Sequence, residues 1–242
     1  MEQSKQPAKR LSDIIEDRLV EMILGGDFPP GAALPLERDL AAGLGVGRPT
    51  LREALQRLER DGWLSVRKGQ PTRVNDYWRD GNLNIMAALA RHHAKAPALF
   101  IDYLLELRVA LTPAYVRQAV EADAARVVAM LVEHDQLADD PASFADFDWR
   151  LQKNLARAAA NPVYALMLNS FDTAYLPLAT EYFGGAANRR ASARFYRRLM
   201  EAAMARDGAL AAEVARAAMT AAMENWRADR AALDRAAGEE LS

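Results

Sequence analysis

The stretch Leu34-Pro35-Leu36-Glu37-Arg38-Asp39-Leu40, followed by Gly45-Val46-Gly47-Arg48-Pro49-Thr50-Leu51-Arg52-Glu53-Ala54-Leu55, leaves this chain little freedom of fold. It writes two short helical patterns joined by a glycine-valine-glycine turn. Leu51, Ala54, Leu55 and Leu58 recur at the three- and four-residue spacings that place them on one helix face, so Arg48, Thr50 and Arg52 point elsewhere. Beyond Asp61-Gly62, the runs Trp63-Leu64-Ser65-Val66 and Thr72-Arg73-Val74 alternate apolar with polar residues, and Arg67-Lys68-Gly69-Gln70-Pro71 between them reads as a tight turn. Two helices followed directly by a basic hairpin are the pattern of a winged helix-turn-helix.

That pattern points to DNA. A helix fits the major groove, and an arginine fork matches guanine O6 and N7, a contact worth about 1–3 kcal/mol of base discrimination. Arg48 and Arg52, one turn apart, are the candidates for base readout, with Thr50 between them. Arg38 opens the preceding helix, which in helix-turn-helix proteins crosses the backbone, so its expected partner is a phosphate, or a base if the docking angle lets it reach inward. At the hairpin tip, Arg67, Lys68, Gly69 and Gln70 offer cations and close main-chain approach suited to the narrow minor groove. Taken singly, such residues are more often solvated surface charges and a plain hairpin tip; the order of the elements favours the functional reading. The net charge of -2 is a poor match for a polyanion, but residues 48–73 carry seven basic residues (Arg48, Arg52, Arg57, Arg60, Arg67, Lys68, Arg73) against three acidic ones (Glu53, Glu59, Asp61).

Capping is weak. Gly47 is the expected N-cap of the second helix with Pro49 in its first turn, and Leu36 gives the first one no capping hydroxyl. An amphipathic helix is expected over residues 11 to 25, with Ile14, Ile15, Leu19, Met22 and Ile23 inward, ended by Phe28-Pro29-Pro30-Gly31. The fold class is therefore mainly α: a winged helix-turn-helix domain over 1–74, a connector over 75–82, an all-α bundle of about seven helices over 83–235, and a flexible tail over 236–242. Helices are expected near 83 to 92, 96 to 120, 123 to 138, 141 to 159, 162 to 183, 188 to 206 and 209 to 235, with Asn161-Pro162 starting the fifth.

The absence of cysteine from the sequence excludes disulfides and thiolate metal sites, and no signal peptide or long apolar run is seen, so a cytoplasmic protein without membrane attachment is expected. Enzyme chemistry finds no candidates: no glycine-rich phosphate loop, no histidine-glutamate-x-x-histidine pattern and no convincing triad. Asp139-Asp140 and Glu239-Glu240 read as solvated charge, and His92-His93 as a solvated helix end.

The helix-turn-helix wording resembles the GntR family of bacterial transcription regulators, which share the leucine-proline-x-glutamate-arginine-x-leucine helix and the arginine-x-threonine-leucine-arginine-glutamate-alanine-leucine recognition helix. Further residues resemble the FadR subgroup of that family: Val74-Asn75, Trp78, Leu83-Asn84-Ile85, Arg108 after a double leucine, Phe147-Asp148, Asn161-Pro162-x-Tyr164, Tyr182-Phe183, Phe195-Tyr196 and Trp226. The resemblance spans roughly residues 11 to 230. It implies a homodimer on a nearly palindromic operator in double-stranded DNA, with long-chain acyl-CoA as the effector that relieves binding and with genes of fatty-acid metabolism repressed or activated. It further implies that Leu104, Leu105, Phe171, Tyr175, Tyr182 and Tyr196 line the acyl tail and that Arg108, Arg216 and Trp226 lie near the thioester and CoA; spacing alone reads the apolar positions as ordinary core. Relatives commonly carry serine at Leu36, serine or threonine at Gly47 and threonine at Pro49. Where they show glycine-histidine-glutamate-serine-glycine, this chain has Met219-Thr220-Ala221-Ala222-Met223, a pocket wall reshaped by two pliable side chains. Related regulators hold a metal on an aspartate and three histidines; here Asp148 is followed by Gln152, and the histidines are His92, His93 and His134, so neither a metal nor a cofactor is expected. A regulator sensing a small carboxylate, and an effector-free architectural DNA-binding dimer, stay open as alternatives.

Overall fold

The computed structural model describes residues 10–92, 94–97, 99–172 and 175–239. Contacts divide the chain between residues 97 and 98 into two compact units. In the first, α1 (Leu11–Leu24) packs on α3 (Arg48–Asp61), α2 (Glu37–Leu44) packs on the same helix, and β1 (Leu64–Ser65) pairs antiparallel with β2 (Arg73–Val74), Leu64 opposite Val74. Leu51, Ala54, Leu55 and Leu58 form the buried face of α3, as their spacing requires.

Helix α1 is turned differently from the expectation. It buries Ser12, Ile15, Leu19, Val20 and Ile23, while Ile14 is 47% exposed and Met22 half-buried. The reason is electrostatic. Arg57 of α3 donates to Asp13 at 2.5 Å and to Glu16 at 3.4 Å, which fixes those two positions beside α3 and swings Ile14 outward. The turns behave as expected: α2 starts at Leu36 with no side-chain cap, Gly45 ends it in the left-handed region at φ 70°, and Gly47 caps α3 with Pro49 in the first turn.

A segment read only as a turn also joins the sheet. The Gly31 N–H donates to the Val74 carbonyl at 2.8 Å, Val74 N–H to Ala32 O at 2.9 Å, and Leu34 N–H to Thr72 O at 2.8 Å. Three residues between a proline turn and a helix are too few to show alternation.

The connector is bound to the end of α3 rather than spacing two domains. Asn75 Nδ2 donates to the Gly62 carbonyl at 3.0 Å and Asn82 Nδ2 to the Arg60 carbonyl at 3.1 Å, satisfying acceptors that a helix end leaves open. Asn84 Nδ2 donates to the buried Asp61 carboxylate at 2.8 Å. Gly62 sits at φ 92°, and a Cβ there would lie 2.4 Å from the Asp80 carbonyl oxygen. Helices α4 (Tyr77–Asp80) and α5 (Leu83–Arg91) follow, and α5 buries Ile85 and Leu89 while touching α3. Residues 83–97 therefore group with the DNA-binding unit, not with the bundle as the boundary at 82/83 supposed. His92 is not a solvated helix end: its side chain is 12% exposed and faces Asp17 and Glu21 at 3.4 and 3.5 Å. His93 lies outside the described residues.

The second unit is helical throughout its described residues: α6 (Phe100–Leu131), a 3-10 turn (Val132–Gln136), α7 (Pro141–Ala158), α8 (Val163–Asn169), α9 (Tyr175–Tyr182), α10 (Ala186–Met204) and α11 (Gly208–Glu239). Its core joins Val116, Ala119 and Val127 of α6 to Leu151 and Leu155 of α7, Tyr196 and Leu199 of α10, and Ala215 of α11. The break expected between residues 120 and 123 is a kink at Asp123 (φ -155°, ψ 79°), whose carboxylate accepts from Arg126 N–H at 3.0 Å and restarts the helix. The single helix expected over 162–183 is two. After Asn169 the chain tightens, with Ser170 and Phe171 N–H donating to carbonyls three residues back, and Asp172 turns to α7, accepting from Trp149 Nε1 at 3.0 Å and Lys153 Nζ at 2.6 Å. At the other end α11 continues to Glu239, into the stretch expected as a tail; Glu240 and residues 241–242 lie outside the described residues. Asp139 and Asp140 are bound rather than free: Arg189 Nε donates to Asp139 at 2.6 Å, and Asp140 caps α7 by accepting from Ser143 N–H at 2.9 Å.

Candidate nucleic-acid interface and ligand cavity

In the first unit, α3 presents Arg48 and Arg52 on the face opposite its buried leucines, both exposed, with Thr50 half-buried between them. Arg52 Nε donates to Glu37 Oε2 of α2 at 2.7 Å; among the described residues Arg48 meets no carboxylate. Arg38 is 72% exposed and, among the described residues, bonded to its neighbour Asp39 at 2.9 Å and to no other carboxylate. At the wing tip the Gln70 N–H donates to the Arg67 carbonyl at 3.0 Å, with Gly69 at φ 76°, so residues 67–70 form a turn whose third residue must be left-handed. Arg67, Lys68, Gly69 and Gln70 are all exposed.

The basic surplus counted along the sequence is smaller in space. Arg57 is 25% exposed and holds Asp13, Glu16 and Glu53, Arg60 holds Asp61, and Arg73 donates to the Gly31 carbonyl at 2.9 Å. Of the basic residues of the helix-turn-helix and wing, Arg48, Arg67 and Lys68 have no carboxylate partner among the described residues, and Arg38 and Arg52 are in weak exposed pairs.

In the second unit, α6 to α11 surround a cavity of about 350 Å³. Each helix offers one stripe. Leu104, Leu105 and Arg108 of α6 face it, as do Phe171 after α8, Tyr175 and Tyr182 of α9, and Trp226 of α11. Seven of the nine residues expected at a ligand thus share one cavity. The other two do not. Tyr196 is fully buried behind the wall, packed on Phe147 at 4.9 Å between ring centroids, and touches the lining residues Asp148 and Phe195. Arg216 is exposed on the face of α11 away from the stripe, because Val214, Ala218 and Met219 take the cavity-facing positions. Met219 lines the cavity and is 5% exposed; Met223 does not line it.

The polar floor is one network. Asp148, with a side chain 6% exposed, accepts from the Tyr175 hydroxyl, from Tyr196 Oη at 3.1 Å, from Gln152 Nε2 at 3.5 Å and from Arg108 at 3.4 Å. The Tyr115 hydroxyl donates to Gln152 Oε1 at 2.6 Å and lies 3.1 Å from Thr112 Oγ1. Burial pushes the Tyr115 hydroxyl up to about 12 and those of Tyr175 and Tyr196 well above their ordinary value, so all three stay protonated donors. The donor set does not suit a metal: the one carboxylate is saturated by hydroxyls, an amide and a guanidinium, and His134 donates Nδ1–H to the Leu131 carbonyl at 2.7 Å.

Among the described residues one buried group in this wall lacks a partner, and one cation is held only weakly. Trp226 Nε1 is buried with no hydrogen-bond partner among the described residues. Among the described residues Arg108 meets one carboxylate, Asp148, at 3.4 Å, and it lies 5.4 Å over the Tyr175 ring. Sequence reasoning missed Arg194 and Arg198 of α10, which also line the cavity and are exposed. Their four-residue spacing, in phase with Ala191 and Phe195, was a legible signal.

A winged helix with exposed arginines on its recognition helix, followed by a helical unit built around an apolar cavity, defines a DNA-binding transcription regulator. The chain belongs to the GntR family: residues 11–74 match the bacterial regulatory proteins of the gntR family, and residues 75–237 match the FadR C-terminal domain. It is 43% identical over 192 residues, 79% of this chain and 80% of the relative, to the fatty acid metabolism regulator protein of Edwardsiella ictaluri, and 39% identical over 197 residues, 81% and 82%, to that of Shewanella halifaxensis. In fold it is similar to the solved structure of Lar, described as controlling expression of the Listeria monocytogenes agr system, with a TM-score of 0.63 and 18% identity over 91% of this chain and 98% of that one. The family is one of regulators, not enzymes. Among the described residues no helix is long and apolar enough to cross a membrane.

Proposed function

We propose that this chain is a cytoplasmic, homodimeric transcription regulator of fatty-acid metabolism whose hold on operator DNA is released by long-chain acyl-CoA. Two recognition helices would enter successive major grooves of a nearly palindromic operator, with the wing tips in flanking minor grooves. One observation carries the effector reading: an apolar cavity of about 350 Å³, within the range of small-molecule sites of about 300–1,000 Å³, has in its wall the Trp226 indole N–H, unpaired among the described residues, and the Arg108 guanidinium, held only by a long contact to Asp148. A hydrocarbon tail fills the first feature and a thioester carbonyl answers the second. Leaving a buried donor unmade costs about 1–3 kcal/mol, which a bound carbonyl returns.

Release requires only modest coupling. A hundredfold loss of operator affinity corresponds to about 2.8 kcal/mol between ligand and DNA sites. The connector is suited to passing it on, because Asn75, Asn82 and Asn84 hold the end of the recognition helix itself. No resident metal or cofactor enters this account. Calorimetry with acyl-CoAs of graded chain length tests it: saturable binding to the full chain is expected, and heat no different from dilution for every chain length would refute it.

A further inference from the structure

The stripe that α10 turns to the cavity consists of Ala191, Arg194, Phe195 and Arg198, spaced by three and four residues. Phe195 is buried; Arg194 and Arg198 are exposed at the rim. Two guanidiniums four apart on one face repel, and like-charged pairs of this kind destabilise a helix by about 0.2–0.5 kcal/mol. Arg117, Arg150, Arg189 and Arg227 each donate to a carboxylate within 3.0 Å; of the arginines in this unit without a carboxylate partner among the described residues, Arg194 and Arg198 are the two that line the cavity. Arg190, a further turn back and also exposed, adds to the same field. An uncompensated cationic rim around a hydrocarbon interior fits an amphiphile with a strongly anionic head. A guanidinium fork pairs with two oxygens of a phosphate or a carboxylate alike, but two forks side by side carry more charge than one carboxylate balances, whereas a head with several phosphates can engage both.

We propose that Arg194 and Arg198 bind the phosphates of the effector's head group, so that the site selects an acyl thioester bearing a phosphorylated nucleotide over a phosphate-free thioester with the same tail. The inference rests on the acyl-CoA reading above. It moves the anion contact from Arg216, which faces away from the cavity, to α10.

Calorimetry on the full chain with palmitoyl-CoA and with palmitoyl-pantetheine, which keeps the thioester and lacks every phosphate, tests this. The double variant Arg194→Ala/Arg198→Ala is expected to bind palmitoyl-CoA at least tenfold more weakly and with a flatter salt dependence, and to bind palmitoyl-pantetheine as the unmodified chain does. Arg216→Ala is expected to bind both ligands unchanged, and thermal unfolding of the double variant is expected to match or exceed that of the unmodified chain. Undiminished palmitoyl-CoA affinity in the double variant overturns the proposal, as does an equal loss for both ligands. If the unmodified chain binds neither ligand, the acyl-CoA reading itself falls and takes this one with it.

Discussion

The Glu37 carboxylate of α2 holds the Arg52 guanidinium of α3 at 2.7 Å, so the second of the two arginines proposed to read bases is tied to the neighbouring helix. The two side chains are 43% and 63% exposed, and such pairs are worth about 0–1 kcal/mol. A bidentate guanine contact is worth about 1–3 kcal/mol, so DNA can take Arg52 from Glu37 at a net gain.

Arg52→Ala is accordingly expected to reduce affinity for an operator selected from random sequence by about 5- to 150-fold. Preference should relax at one base pair per half-site, and thermal stability should stay within about 0.5 kcal/mol of the parent. Fluorescence anisotropy against single-base operator variants at fixed salt is the check. Equal loss across all sequences would make Arg52 a phosphate contact instead.

Gly62→Ala should damage the DNA-binding unit. The site combines φ 92° with a Cβ position 2.4 Å from a backbone oxygen of the connector, so the connector must move off α3. The conformational penalty alone is about 1–2 kcal/mol, and the clash adds to it. Gly69→Ala is the control, with φ 76° but open space around the new methyl group. A lower midpoint of thermal unfolding for the first than for the second is expected; equal midpoints would mean the connector is not seated as described.

Trp226→Phe removes the buried, unpartnered indole N–H and keeps most of the apolar contact. Without ligand the variant should be as stable as the parent or slightly more so, since an unmet donor costs about 1–3 kcal/mol. Its affinity for an acyl-CoA should fall. Thermal unfolding with and without palmitoyl-CoA reads both effects, and an unchanged ligand-induced shift would remove Trp226 from the site.

Alkali should unfold the helical unit through its buried tyrosines. Tyr115 ionises near the ordinary value of about 10 when unfolded, and burial holds it up to about 12 in the folded state. The folded state binds the proton more tightly, so this contribution is fully present below about pH 10 and is lost as pH rises towards 12. Tyr175 and Tyr196 act in the same direction. A tyrosinate absorbance titration should show a late fraction ionising together with loss of helical ellipticity; ionisation of every tyrosine near pH 10 with the helices intact would contradict it.

The helix-turn-helix was legible because its residues carry their own periodicity: Leu51, Ala54, Leu55 and Leu58 can face only one way. The break at Asp123 was legible for a related reason, since an aspartate that can cap a helix interrupts the apolar pattern there. Arg57 and Arg60 counted as DNA-facing charge in the sequence, yet distant carboxylates on α1 claim Arg57, a long-range pairing that no local pattern reveals. That Tyr196 and Arg216 do not line the cavity was not legible, because resemblance fixes alignment position and not which side of a wall a side chain occupies. The connector's true attachment was hidden too, as asparagines bonded to a helix end look, in sequence, like those of any loop.

In the function proposed above, the cavity in the bundle governs operator binding. Titrating oleoyl-CoA into a complex of the full chain with labelled operator, followed by anisotropy, tests it most directly. The account predicts release of the DNA as the ligand saturates, with Trp226→Phe requiring more ligand for the same release. Operator that stays bound at saturating oleoyl-CoA would contradict it.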